Sequence, residues 1–277
     1  MKNSENTRDN ASKNLIWTKT KYKKVQRAFL YSNKKWGAYG LSILIWLFIW
    51  HIVASYIDNE LFLPEPSKVF DVLFNTLLPS EIFWASLLSS LTHICTGFFI
   101  GCITGILFAV LASLNTILEA FIWFPVKVMK SVPVASFVIL VLLWLDADDL
   151  AVFIPSMIVL PTLYINTLTG IKQTGSSLLD MAMLFRVPLL KRIVHIYIPN
   201  TIPYILSACS LAMGMAWKAG VAAEIIGLAK DSIGNELYKA KIYLMTPELF
   251  AWTIVIVVLS ILCESTIKLL IKLIDSR

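Results

Sequence analysis

The sequence predicts an all-α membrane protein with about six transmembrane helices. Of its 277 residues, 57% are hydrophobic and only 15% are charged, whereas soluble domains carry about 25% charged residues. Several apolar segments approach the roughly 20 residues that a helix needs to cross a bilayer. The charge is also uneven, since residues 1–35 hold ten Lys or Arg against two Asp or Glu. These observations indicate an integral membrane protein.

The first predicted span is Trp36–Ile57, interrupted only by His51, and the basic tail 1–35 precedes it. A basic tail can bind nucleic acid, but beside an apolar span it is more typical of a cytoplasmic N-terminus. We therefore expect no nucleic-acid partner. No Ala-x-Ala-like site follows this apolar run, so no cleavable signal peptide is expected.

The next two spans differ in length. Ile82–Leu118 contains no charged residue and exceeds one span, which predicts a tilted helix followed by a turn near 113–116. Ser131–Leu145 is too short to cross alone. It must extend back into 121–130 across Pro133, or stop short of a full crossing.

Three further spans complete the set. They are Leu150–Ile171, a segment that begins after Pro203 and ends near Gly227, and Leu249–Leu273. The fifth span carries two ionisable residues, Lys218 and Glu224. Such groups are costly in a membrane and usually face a cavity or a partner, so both are possible pathway-lining residues. Being six positions apart, they do not share a helix face and need not contact each other.

Six spans place both termini on one side, and the basic tail predicts that this side is cytoplasmic. The segment 58–81, with five acids and one Lys, then lies outside. Lys230, Lys239 and Lys241 are the discordant charges on the outer side. The predicted parts are a basic cytoplasmic tail (1–35), a first transmembrane helix (36–57), an extracytoplasmic interfacial segment (58–81), and a core domain (82–275).

Two outer segments are predicted to contain short helices. Val69, Leu73 and Leu77 follow one another at intervals of four, which is typical of an amphipathic helix. Ile233 and Leu237 lie among charges in a second such segment. Within the second span, Gly97, Gly101 and Gly105 form a stripe that predicts close packing of another helix.

The long loop 176–202 between the fourth and fifth spans contains two potential helix starts. Its sequence DMAMLFRVPLLKRIVHIYIP has an Asp-Met-Ala triplet, then Arg186, then Pro199. This spacing resembles the EAA loop of ABC importer permeases, in which Glu-Ala-Ala is followed by Gly and later Pro. The differences are Asp180 for Glu, Met181 for Ala and Arg186 for the Gly, whereas Ala182 and Pro199 agree with the pattern.

The resemblance extends over residues 60–270. The segments 131–144, 164–174 and 202–227 look like the nitrate/sulfonate/taurine (bicarbonate) branch of these permeases. It implies the type I importer permease fold in the cell membrane, and a coupling loop at 176–202 that contacts a separate ATPase. Ala182, being small, is expected to let that loop lie close to the ATPase. The residues expected to couple to the ATPase are Asp180, Met181, Ala182, Arg186 and Pro199.

The implied function is the transmembrane subunit of an ATP-driven importer. Its substrate would be a small anion or a vitamin precursor, in the nitrate, sulfonate, bicarbonate or thiamine-precursor class. Its partners would be an ATPase, an extracytoplasmic solute-binding protein, a second permease copy and membrane lipid. No nucleotide-binding or hydrolase motif is present, so no catalytic residue, cofactor or metal is expected. The alternatives are a secondary active transporter, or a membrane-anchored scaffold or sensor.

Overall fold

The computed structural model describes residues 39–275, so the basic tail 1–35 lies outside the described residues. The chain divides into two compact units at Pro66. In the first unit, helix α1 (Tyr39–Ile57) is long and apolar enough to cross a membrane. The indole Nε1 of Trp50 donates a hydrogen bond to the Pro64 carbonyl at 3.1 Å, which ties the chain after α1 back to that helix.

The second unit contains ten described α-helices. A short one comes first: α2 (Pro66–Asp71), which continues as a π-helical turn (Val72–Leu77). The next four are α3 (Glu81–Leu114), α4 (Thr116–Ser131), α5 (Val134–Val141) and α6 (Ala147–Lys172). The remainder are α7 (Ser176–Leu184), α8 (Leu189–Arg192), α9 (Ile198–Gly227), α10 (Ile233–Ile242) and α11 (Thr246–Asp275).

Helices α3, α6 and α9 pack together as the centre of this unit, and small residues allow the close approach. A Cβ added to Gly97 would lie 2.3 Å from the Val152 carbonyl oxygen on α6. At Gly101 and Gly105 the nearest α6 carbonyl oxygens would be 2.7 Å away. Such separations are shorter than any real contact, so the three glycines bring the two backbones together.

The segment before α6 is a broken helix. Helices α4 and α5 meet at an angle of 105° across Val132 and Pro133. Proline cannot continue a helix interior without losing a hydrogen bond, and it restricts the residue before it to extended backbone. Both halves contact α6. In the α4 half, Val126 belongs to a buried cluster with Tyr164 and Leu168. Counted as one broken span, this pair brings the described spans to six.

The helical segment that contains the fifth span starts earlier than the sequence predicts. The prediction placed its beginning after Pro203, but the apolar helical segment runs from Leu189 to Gly227 without interruption. A π-helical turn (Ile193–Tyr197) joins α8 to α9. Pro199 lies at the start of α9 and Pro203 within it. Proline has no amide N–H, so it leaves a carbonyl of the preceding turn without a donor. The π-helical turn before Pro199 shifts the hydrogen-bond pattern, so both prolines fit inside a continuous helix.

The second of the predicted outer helices is α10, and the first is α2 with its π-helical turn. Val69, Leu73 and Leu77 are all buried, which confirms the amphipathic pattern. Ile233 is fully buried at the start of α10, whereas Leu244, which follows that helix, is exposed. Helix α10 packs on α3, α9 and α11.

Candidate functional site

The loop after α6 ends its first helix in a turn that requires positive φ. The Val187 amide donates to the Ala182 carbonyl at 2.9 Å, and the Arg186 amide donates to the Met183 carbonyl at 3.0 Å. This is the Schellman pattern of helix termination, which usually has glycine at its left-handed position. Arg186 occupies that position with φ 49°. The turn is therefore formed although the usual glycine is absent.

Replacing Arg186 with glycine should raise the melting temperature of the purified chain slightly. A non-glycine residue in this backbone region costs roughly 1–2 kcal/mol, and glycine's greater unfolded-state freedom offsets part of that gain. We expect a net gain of at most about 1 kcal/mol, with membrane insertion unchanged. Arg186→Ala is the matched control because it removes the same side chain but keeps the strained backbone. A lower melting temperature for Arg186→Gly than for Arg186→Ala would contradict this explanation.

Helix α7 presents an apolar face to the outside of the chain. Met181, Leu184 and Phe185 are 50%, 81% and 73% exposed, and Asp180 is exposed beside them. Ala182 is only 2% exposed and is already buried by this chain itself. The atoms that cover Ala182 therefore belong to this subunit, and the exposed side chains around it form the free surface. Pro199 is exposed at the start of α9.

Glu224 lies at the centre of a buried polar network that joins three helices. Its side chain is completely buried, and its Oε2 accepts hydrogen bonds from the Ser90 hydroxyl at 2.7 Å and the Gly234 amide at 3.2 Å. The Ser90 hydroxyl also accepts from the Ile233 amide at 2.9 Å. Gly234 is required here because an added Cβ would lie 2.4 Å from that of Glu224. The network holds the start of α10 against α3 and α9.

The other carboxylate oxygen of Glu224 faces His93. Its Oε1 lies 3.6 Å from His93 Nδ1, and neither atom has a hydrogen bond to another described residue. Lys218 points elsewhere: it is exposed, and it forms no ion pair with Glu224. Trp217 is fully buried and donates to the Ile256 carbonyl at 3.1 Å. Trp217 is therefore a packing residue between α9 and α11.

A groove of about 770 Å³ lies between α4 and the second half of α6, and we call it the basic groove. Its polar lining residues are Glu119, Lys127, Lys130, Ser131, Tyr164, Thr169 and Lys172.

The basic groove carries two uncompensated positive charges. Lys172 Nζ contacts both Glu119 oxygens, at 2.5 and 2.6 Å, so this pair is neutral overall. Lys127 Nζ lies 4.3 Å from the centre of the Trp123 ring, which leaves its charge unneutralised. Lys130 has no acidic partner within residues 39–275. The Tyr164 side chain is 2% exposed and its hydroxyl has no hydrogen-bond partner there either. The groove thus offers two ammonium groups to an anion.

Sequence reasoning did not single out these lysines. Lys127 and Lys130 lie one turn apart on α4, which is otherwise apolar along this stretch. Ionisable residues in a membrane-spanning helix are a functional-site signal. Lys127 and Lys130 carry this signal. The segment 121–131 is too short to be recognised as a span of its own, so its lysines do not stand out in the sequence.

Residues 97–277 match the model of the family described as binding-protein-dependent transport system inner membrane component. The match covers well over half of the chain. The chain belongs to this family. Membership confirms the predicted type I importer permease fold and confirms that the chain is a multi-pass membrane protein. It also confirms that the chain is the transmembrane subunit of an importer, and not a secondary transporter or a scaffold.

Similar permeases whose names state a substrate support the predicted branch. The aliphatic sulfonates transport permease SsuC of Bacillus subtilis is 25% identical over 224 residues, covering 80% of each chain. The nitrate import permease NrtB of Synechococcus elongatus is 27% identical over 73% of this chain and 75% of the relative. The bicarbonate transport permease CmpB of the same organism is 28% identical, over 72% and 74%. All three relatives are named as permease proteins.

Proposed function

We propose that this permease forms the pathway for a small anion, which an extracytoplasmic binding protein delivers and a separate ATPase drives across the membrane. The observation that carries the anion assignment is the basic groove, where Lys127 and Lys130 lie on α4, the first half of the apolar broken helix pair. Neither lysine has an acidic partner in the described part of the chain. A positive charge at such a site is costly unless it faces a cavity or a counter-ion. The sulfonates, nitrate and bicarbonate named for the similar permeases are all anions.

The exposed apolar face of α7 supports the ATPase as the partner at this loop. Met181, Leu184 and Phe185 leave large apolar side chains uncovered, and a contiguous exposed apolar patch is typical of a protein-protein interface. Helix α7 follows α6 after only three residues, 173–175, and Ala182 on it is buried by this chain. A rigid helix clamped in a partner would therefore transmit the partner's movement to α6 and α9.

A second permease copy is the proposed partner for the open side of α4 and α5. Large apolar side chains on this broken span are exposed, including Phe121, Phe124 and Ile139. Lipid or protein must cover them, and a second copy beside α4 would enclose the basic groove between two subunits. Oligomers of identical chains usually have closed twofold symmetry. The pathway would then lie near the axis of the pair.

For topology, we expect both termini and residues 172–200 in the cytoplasm, and residues 58–81 outside. The test is labelling of intact cells with a membrane-impermeant thiol reagent, after the four native cysteines are replaced by alanine. Ser67→Cys should react in intact cells, and Ser177→Cys should react only after permeabilisation. Both serines are exposed, so access to the reagent depends on the side of the membrane. Reaction of Ser177→Cys in intact cells would contradict this orientation.

The experiment for the function is reconstitution with the cognate ATPase and binding protein in proteoliposomes. We expect ATP-dependent uptake of one of the anions nitrate, an alkanesulfonate or bicarbonate, and no ATP hydrolysis by the permease alone. Uptake of a pyrimidine vitamin precursor with none of the anions would overturn the anion assignment. ATP hydrolysis by the purified permease alone would overturn the assignment of ATP hydrolysis to a separate subunit.

A further inference from the structure

A second cavity lies where the last turns of α3 and α6 meet α8 and the beginning of α9. Its volume is about 400 Å³, which is within the range of ligand pockets. It is separate from the basic groove, with which it shares no lining residue. We call it the Arg192 pocket, after the cation that lines it.

Three polar atoms in the Arg192 pocket lack partners. Arg192 Nε, Thr167 Oγ1 and Thr201 Oγ1 are all buried, and none has a hydrogen bond to another described residue. Thr167 and Thr201 are 1% and 5% exposed. The Arg192 guanidinium also forms no ion pair within 39–275. Buried polar groups are nearly always hydrogen-bonded, and an uncompensated buried donor is costly. Three such atoms among the lining residues of one cavity point to a ligand that carries hydrogen-bond acceptors.

The polarity of the pocket changes with depth. Arg192 lies on the loop side, before the start of α9. Thr201 is in the first turn of α9, and Ile205 is one turn further along the helix. On α3 the lining extends from Leu114 back to Ile106, a distance of about 12 Å at 1.5 Å per residue. A cation at the mouth is therefore followed by two hydroxyls and then by an aliphatic end.

We infer that the Arg192 pocket binds an anionic phospholipid from the leaflet on the side of the 176–202 loop. The parts of such a lipid occur in the same order as the lining: a phosphate for Arg192, ester oxygens for the threonine hydroxyls, and an acyl chain against Ile202 and Ile205. An arginine guanidinium suits a phosphate because its N–H groups match the phosphate oxygens. Basic pockets between helices at a membrane surface are typical sites for anionic lipid headgroups.

The charge around the mouth favours an anionic over a zwitterionic headgroup. Arg186 and Lys191 are exposed on the same loop, and Asp180 is the one acid between Ser176 and Pro199. A free small anion would satisfy Arg192 but would leave the aliphatic end of the cavity empty. This inference goes beyond the transported substrate and does not depend on it.

The test is native mass spectrometry of the full chain, purified with its ATPase in a mild detergent from membranes that contain phosphatidylglycerol. The wild type should retain one phosphatidylglycerol for each permease chain. Arg192→Gln should lower that occupancy at least fivefold, and Arg192→Lys should restore part of it. Lys191→Gln is the matched control, since it removes a neighbouring charge that does not line the pocket, and it should leave the occupancy unchanged.

Three outcomes would overturn the inference. They are unchanged phosphatidylglycerol occupancy in Arg192→Gln, equal occupancy in Arg192→Gln and Lys191→Gln, and equal retention of phosphatidylcholine by the wild type when that lipid is added to the same preparation. A second readout needs no variant: photoreactive phosphatidylglycerol should crosslink to the wild-type peptide that contains Ile202 and Ile205. Crosslinks confined to other helices would also overturn it. Neither readout involves transport, so failure here is distinguishable from failure of the proposed anion import.

Discussion

Replacing Ala182 with tryptophan is expected to abolish transport and to remove the ATPase from the purified complex. Ala182 is 2% exposed on the inner side of α7, and its carbonyl accepts the hydrogen bond that closes the turn at Val187. An indole cannot occupy this space, and overpacking typically costs about 1–3 kcal/mol. Helix α7 would have to leave its position, and the apolar face formed by Met181, Leu184 and Phe185 would be displaced with it.

The measurement is co-purification of the ATPase with each variant, together with uptake in proteoliposomes. Ala182→Ser is the control, because it changes the volume very little and should behave like the wild type. Membrane insertion and expression should be unchanged in both variants, since α7 lies outside the spans. If Ala182→Trp retained both the ATPase and transport, the loop would have no part in coupling.

Removing both charges from the basic groove is expected to reduce anion uptake at least tenfold. In Lys127→Gln combined with Lys130→Gln, the side chains keep most of their length but lose the two uncompensated charges. A hydrogen bond to a charged group contributes about 1.5–3 kcal/mol, and 1.4 kcal/mol corresponds to a factor of ten. The reduction should be steepest for the smallest anions, which have no other part through which to bind.

The control for this double variant is Lys268→Gln on α11. Lys268 is also exposed and charged, but it is paired with Glu264 at 2.5 Å and does not line the groove. An exposed pair of this kind contributes little to stability. We expect Lys268→Gln to transport normally and the double variant to retain its ATPase. Full uptake by the double variant would place the pathway elsewhere.

The spans could be predicted because hydropathy reports them directly. The absence of charges between Ile82 and Leu118 predicted α3, and the polar Asn115 marks its end in the structure, where its side chain accepts from the Ile117 amide at 3.0 Å. Pro133 predicted the break between α4 and α5. Each of these signals is local: it depends on a few neighbouring residues and the known behaviour of proline or of a helix cap.

The features that could not be predicted depend on residues distant in sequence. Glu224 was recognised as costly, but its partner Ser90 lies 134 positions away, and no local pattern connects them. Tyr164 and Lys130 line the same groove only because α4 and α6 pack side by side. Tryptophan is typical of the membrane interface, yet packing against α11 buries Trp217 completely. The continuity of α8 with α9 was missed because two prolines normally indicate a break.

The central claim is that the ATPase binds the apolar face of α7, and site-specific photo-crosslinking tests it most directly. A photoreactive phenylalanine analogue would replace Met181 or Phe185, which are both exposed on this face, and Leu61, which is exposed in the segment expected to lie on the other side of the membrane. We predict crosslinks to the ATPase from the first two positions and none from Leu61. Crosslinks absent from Met181 and Phe185 in a complex that still contains the ATPase would contradict this account.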